Sequence, residues 1–230
     1  SKKLGQGRQE EADSAVTHGL IVSSVLGTVL IIVLLIIIKP YFTLFIDDDA
    51  IYELCLDYMY ICAFFQLPNM VHIAIQKIIQ GTGNMLAPMG FQIAGVLANC
   101  VLDPLLIFGI GPFPQMGVKG AAAATVAGYT VSTILAFYVL IFTRQKVKIK
   151  TRGFQFQRKM VKDIFVIGMP SFIMNALGAF MVTFANIFLI AYSTTAVAFF
   201  GAYFKAQQMV VMTVNGLIQG CIPIMSFNYG

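Results

Sequence analysis

Long apolar stretches alternate with short polar or glycine-rich breaks along nearly the whole chain. Residues 18–38 carry no charge, and about 21 residues at ~1.5 Å each suffice to cross a hydrocarbon core about 30 Å thick. This predicts a first membrane helix, preceded by a polar loop over 1–13 and ended by Lys39-Pro40. An acidic connection, Asp47-Asp48-Asp49, leads to a second helix over 51–80, with a kink predicted near Pro68. Gln80-Gly81-Thr82-Gly83-Asn84 reads as a tight turn, so the third helix (85–109) runs antiparallel to the second. The glycine- and proline-rich break over 109–114 precedes a fourth helix over 117–142. Two more follow, over 161–191 and 195–226. The pattern is all-α, with six membrane helices.

Composition agrees. Of 230 residues, 58% are hydrophobic and 11% charged, less than half the roughly 25% usual in soluble domains. The net charge of +5 does not describe a nucleic-acid-binding face, because eight of the fifteen Lys and Arg residues fall in 144–162. Such a run marks a cytoplasmic loop. Counting spans back from it places 1–13 and the 81–84 turn inside, and the acidic triplet and the 109–117 break outside. The chain opens without Met or a signal-peptide pattern and closes on Asn228-Tyr229-Gly230, which reads as the middle of a longer protein. Cys55, Cys62, Cys100 and Cys221 show no CxxC pairing. His18 and His72 each lack a second metal ligand three or four residues on, so no zinc site is expected.

The candidate chemistry lies in the third and fourth helices. Asn99 and Asp103 are four apart and share a helix face. Pro104 has no N–H, which frees the carbonyl of Cys100. An amide, a carboxylate and a backbone carbonyl therefore converge on one patch, an oxygen set suited to Na+, or to a proton on the carboxylate. The bland alternative is that the pair joins helices or satisfies the proline break. Gly120, Ala124 and Gly128 form a small-residue stripe that permits close approach of a neighbouring helix, with Thr125 beside it. Lys205, Gln207 and Gln219 in the last helix suit either a substrate path or, respectively, snorkelling and interhelical hydrogen bonds.

The order of motifs in 80–128 (Gln80-Gly81-Thr82-Gly83-Asn84, Asn99-Cys100-Val101-Leu102-Asp103-Pro104, then Gly117-Val118-Lys119-Gly120-Ala121-Ala122 through Thr125) resembles the multidrug and toxic compound extrusion (MATE) family. Gly168-Met169-Pro170 is similar to the start of that family's seventh helix, and Phe227-Asn228-Tyr229-Gly230 to the end of its eighth. The resemblance implies helices three to eight of a two-lobed, twelve-helix transporter. Residues 1–143 would belong to the first lobe, 144–162 to the linker and 163–230 to the start of the second lobe. It implies export of organic, often cationic, compounds in exchange for Na+ or H+ by alternating access, with no cofactor beyond the coupling ion. The expected partners are the bilayer, small-molecule substrates and the remaining helices; the expected location is a bacterial plasma membrane. Asn99, Asp103 and Thr125 match the family's ion-binding residues, and Gln76 the Asn or Gln of its fourth helix. The family's first-helix acid lies upstream of the stretch covered here. A seventh-helix glutamate found in some members falls on Gly178, which shifts weight to the first lobe.

Two rivals follow from the same pattern. A lipid-linked-sugar flippase of similar build would need more cationic residues along its cavity than Lys205. An intramembrane aspartyl protease needs two carboxylates sharing a site, and only Asp103 lies at depth.

Overall fold

The structure, a computed structural model, describes residues 1–229 apart from Asp47, Arg144, Gln145, Lys148 and 150–154; nothing is described of the side chains of Phe45 and Thr194. Much of the basic segment 144–162, and part of the acidic connection, therefore lie outside the described residues.

Among the described residues eight helices follow in order: α1 (Lys2–Gly5), α2 (Gln9–Phe45), α3 (Asp49–Phe64), α4 (Gln66–Gly81), α5 (Leu86–Phe108), α6 (Val118–Phe142), α7 (Arg158–Ile190) and α8 (Thr194–Tyr229). Five of them are long and apolar enough to cross a membrane. The bent pair α3 and α4 supplies a sixth span if counted as one.

Three boundaries differ from the expectation. The polar loop over 1–13 is largely helical: α1 turns through Gly7 in the left-handed region, and α2 begins at Gln9. Glu10 and Glu11 stand in the first turn, where the helix dipole favours acids, and Glu11 pairs with Lys3 and Arg8. At the other end α2 does not stop at Lys39-Pro40 but continues to Phe45. The proline removes one hydrogen bond. Uncoiling the chain at a bilayer boundary would expose several backbone groups, so the helix is the less costly path. The third difference is the break in the second span. It falls at Phe65, with a bend of 49°, one turn ahead of the proline. Pro68 cannot donate to the carbonyl four residues back, on Phe64, so the ladder fails where that missing bond would be.

Local signals fix the other ends. Asp48 caps α3 by accepting from the N–H groups of Ala50 and Ile51 at 2.9 and 3.2 Å. Gly109 ends α5 at φ +69°, and a Cβ there would lie 2.7 Å from the Gln115 nitrogen.

Burial is uneven. Ile75, Ile79, Phe91, Ala136 and Leu140 form one core that joins α4, α5 and α6. Ile38, Leu56 and Ala63 join α2 to α3, and Ala12, Val16 and Val147 join α2 to the segment after α6. By contrast, α7 buries no residue. The chain start, the α4–α5 turn, Gln157 ahead of α7 and the end of α8 gather on one face. Ser1 Oγ donates to the Gly81 carbonyl at 2.7 Å, the Gln157 N–H donates to His18 Nε2 at 2.9 Å, and Lys2 Nζ lies 4.8 Å from the Tyr229 ring centre. An even number of crossings between these points, as six spans require, produces that arrangement.

Candidate functional site: a polar cavity among apolar helices

The site begins with glycine. A Cβ on Gly95 would lie 1.8 Å from Ser132 Oγ and 2.7 Å from the Gly128 carbonyl. One on Gly128 would lie 2.8 Å from the Gly95 carbonyl, and one on Gly120 would lie 2.5 Å from the Leu106 carbonyl. Only bare backbone permits α5 and α6 to approach this closely. The small-residue stripe of α6 thus faces α5 along about two turns, with Ala124 fully buried between its glycines. The side chains of Asn99 and Ser132 are held against the opposing helix as a result.

On the α4 side of this contact the helices part and leave a cavity of about 330 Å³. Each wall contributes residues at helical spacing. Asn69, His72 and Gln76 come from α4, Gln92 and Asn99 from α5, and Thr125, Tyr129 and Ser132 from α6. None of the lining residues among those described is charged. Several are satisfied internally. Gln76 Nε2 donates to Gln92 Oε1 at 3.2 Å, Thr125 Oγ1 to the Ala121 carbonyl at 2.9 Å, and Ser132 Oγ to the Phe91 carbonyl at 3.1 Å.

Two are not. His72 is 5% exposed, and both of its ring nitrogens lack a hydrogen-bond partner. Its ring stands edge-on to Phe91, with centres 5.4 Å apart at 76°. Asn99 Nδ2 is likewise buried without a partner. Buried polar atoms are nearly always paired, and leaving one unmade costs about 1–3 kcal/mol. Three such atoms from two side chains lie in the seam of α4, α5 and α6 that borders the cavity.

Of the residues singled out by sequence, Gln76, Asn99 and Thr125 share this cavity. Asp103 does not line it; it stands half-buried one turn further along α5, beside Pro104 within the helix. Lys205 and Gln207 are exposed on α8 and lie outside the cavity, whereas Gln219 accepts a hydrogen bond from Lys77 Nζ and so ties α8 to α4. A second cavity of about 530 Å³ separates Met85, Met89 and Gln92 from Gly216 of α8. Among the described residues no group of three His, Cys, Asp or Glu side chains is placed to hold a metal ion. His72, Asn69 and Tyr129 were not among the sequence candidates. Their signal was available, because residues 69, 72 and 76 fall on one helix face.

Comparison with known proteins fits this geometry. The MatE family model matches residues 1–105. The chain is 27% identical over 228 residues to an FAD transporter of Shewanella oneidensis, covering 99% of this chain and 50% of that protein. It is 28% identical over 157 residues to the multidrug export protein MepA of Staphylococcus aureus, covering 67% of this chain and 34% of that one. A multidrug resistance MATE family transporter of the MOP superfamily, solved in its outward-facing conformation, superposes with a TM-score of 0.87 at 25% identity, over 99% of this chain and 50% of that one. The relatives are transporters rather than enzymes, and they favour export over the flippase reading. By sequence over its first 105 residues and by fold over nearly all its length, this membrane chain resembles the MATE transporters, and it spans about half the length of one.

Proposed function

We propose that the chain is part of a secondary active transporter that exports organic compounds, many of them cationic, across a bacterial plasma membrane in exchange for Na+ or H+. In this reading 1–143 belong to the first lobe, 144–162 to the cytoplasmic linker and 163–230 to the second lobe, and the lobes alternate access to a central path. The observation that carries it is the open cavity of about 330 Å³ into which α4, α5 and α6 bring polar side chains amid apolar spans. Apolar spans that only needed to pack would not leave unpaired amide and imidazole atoms among them. The MepA and FAD transporter relatives, a multidrug exporter and a flavin-nucleotide carrier by name, support small organic cargo.

Coupling is assigned to Asn99, Asp103, Thr125 and Gln76. A carboxylate in a low-dielectric setting favours a proton, a cation or a cationic cargo over standing bare. Asp103 adjoins Pro104, where the helix ladder lacks a bond, so neutralising it biases the bend of α5 and with it the cavity that Asn99 lines. Exchange follows if the two bends hold the ion with different affinity.

The test uses the full-length transporter carrying this chain, in proteoliposomes, with efflux of a fluorescent organic cation driven by a Na+ or a H+ gradient. Export is expected under one of the two, and Asp103→Asn is expected to lower it at least about tenfold while leaving the protein folded. Undiminished export by the variant would remove Asp103 from the mechanism. No export under either gradient would overturn the reading itself.

A further inference from the structure

We propose that the seam between the chain start, α4 and α8 holds the phosphate of an anionic phospholipid headgroup. Only the orientation is borrowed from the transporter reading, in which this end of the bundle meets the cytoplasmic leaflet. A cavity of about 460 Å³ opens there, lined by Lys2 and Lys3 of α1, Lys77 of α4 and Ser226 of α8. No acidic residue among those described lines it. Lys3 is paired with Glu11 of α2. Lys2 and Lys77 are exposed, and among the described residues neither has an acidic partner. Their amines are held across the seam by neutral groups of α8 instead. Lys77 Nζ donates to Gln219 Oε1, and Lys2 Nζ lies 4.8 Å from the Tyr229 ring centre. Lys146, next to the lining Val147, stands over the Phe227 ring in the same way, at 5.6 Å.

A lysine near the end of a membrane helix commonly snorkels, with its amine turned out to water. These lysines instead reach toward a neighbouring helix. An amide oxygen or a ring face orients a cation but cancels none of its charge. Positive charge from separate elements thus converges on one cavity without an anion to balance it. The complement is a group with net negative charge and several acceptor oxygens, which a phosphate supplies. The remaining walls favour a lipid over a free phosphate. Leu4, Val16, Ile78 and Val147 line the same cavity, and the apolar part of an amphiphile has a surface there that an inorganic ion would leave unused. Depth agrees as well. Lys77 stands one turn before the end of α4 at Gly81, the level at which a headgroup meets a basic pocket between membrane helices.

The experiment measures binding to the full-length transporter in detergent, without any gradient. The probes are phosphatidylglycerol and zwitterionic phosphatidylcholine carrying the same fluorescent acyl chain, with inorganic phosphate as competitor. Wild type is expected to bind phosphatidylglycerol at least about tenfold more tightly than phosphatidylcholine. The double variant Lys2→Gln, Lys77→Gln removes the two unbalanced charges and keeps an amide to meet Gln219. It is expected to bring that ratio close to one by weakening phosphatidylglycerol. Equal binding of the two lipids by wild type, or an unchanged ratio in the double variant, would overturn the assignment. Displacement of the lipid by inorganic phosphate at matching concentration would give the lysines to a free phosphate and overturn the lipid. Should the double variant fail to fold, Lys2→Gln alone decides: a lowered ratio supports the proposal, and an unchanged one overturns it. A ratio of one would leave gradient-driven export unmoved, and absence of export would leave the ratio unmoved, so the two readings fail separately.

Discussion

The pairs α5–α6 and α7–α8 are about equally apolar, and each joins two antiparallel spans through a short break. They pack very differently. In the first pair Gly95, Gly120 and Gly128 bring backbone within contact of backbone, and Ala122, Ala124 and Ala136 have no exposed surface. In the second, Gly168, Gly178, Gly201, Gly216 and Gly220 have nothing within 4 Å of where a Cβ would stand. Hydropathy thus places a helix in the bilayer but does not say what it touches. In a solvent as apolar as the side chains, contact is decided by how closely backbones can approach and by which polar groups need partners. The cavity borders the first pair, where the contact that holds Asn99 against α6 gives way to a gap facing α4.

The sharpest way to break this contrast is to fill the glycine contact. Gly95→Leu drives four carbons into the space already held by Ser132 Oγ and the Gly128 carbonyl, and backbone cannot yield as a flexible side chain does. Overpacking of this kind costs about 3 kcal/mol, at the upper end of the usual range. The expected outcome is a large fall in the midpoint of detergent-induced unfolding, together with loss of export by the full-length transporter. A midpoint within error of wild type would mean that the α5–α6 contact is not what holds the cavity in place.

Much of this arrangement was legible in the chain. The spacing of Gly120, Ala124 and Gly128 identifies the packed face of α6, and Gln76, Asn99 and Thr125, polar residues in apolar helices, all line the cavity. Polar residues in apolar helices are few, so their helical spacing carries information that apolar residues at the same spacing do not. His72 escaped for a physical reason. Measured against metal-site spacing it has no second ligand, yet four residues on stands Gln76, a hydrogen-bonding side chain on the same face. Asn69, His72 and Gln76, like Thr125, Tyr129 and Ser132, form a polar stripe whose meaning is a cavity rather than a metal. The fates of Lys205, Gln207 and Gln219 were not legible. All three lie on α8, and which face of a helix meets a neighbour depends on a partner outside its own sequence; only Gln219 finds one, in Lys77.

A gentler change should sharpen the comparison. Gly128→Ala adds one carbon, 2.8 Å from the Gly95 carbonyl and 3.0 Å from Asn99 Cβ. Helix propensity favours alanine by about 1 kcal/mol, while the contact requires α5 and Asn99 to shift by a few tenths of an ångström. The net destabilisation is expected to be about 1 kcal/mol, smaller than for Gly95→Leu. Its distinguishing sign is functional: displaced Asn99 should lower export by the full-length transporter more than the modest midpoint shift would suggest. Equal export with a shifted midpoint would separate packing from transport.

The smallest effect belongs to the other pair. Gly178→Ala in α7 meets no atom within 4 Å, so the added methyl group neither clashes nor fills a void. What remains is propensity, which favours alanine over glycine in a helix by up to about 1 kcal/mol in water. Much of that gain comes from ordering a chain that is otherwise free. A membrane span is already helical before its tertiary contacts break, because its backbone has no other partner there, so the gain shrinks. The unfolding midpoint is therefore expected to stay within about 0.5 kcal/mol of wild type, or to rise slightly. A fall comparable to that of Gly128→Ala would show that α7 is packed through Gly178 after all, and that the difference between the two helix pairs does not lie in their glycines.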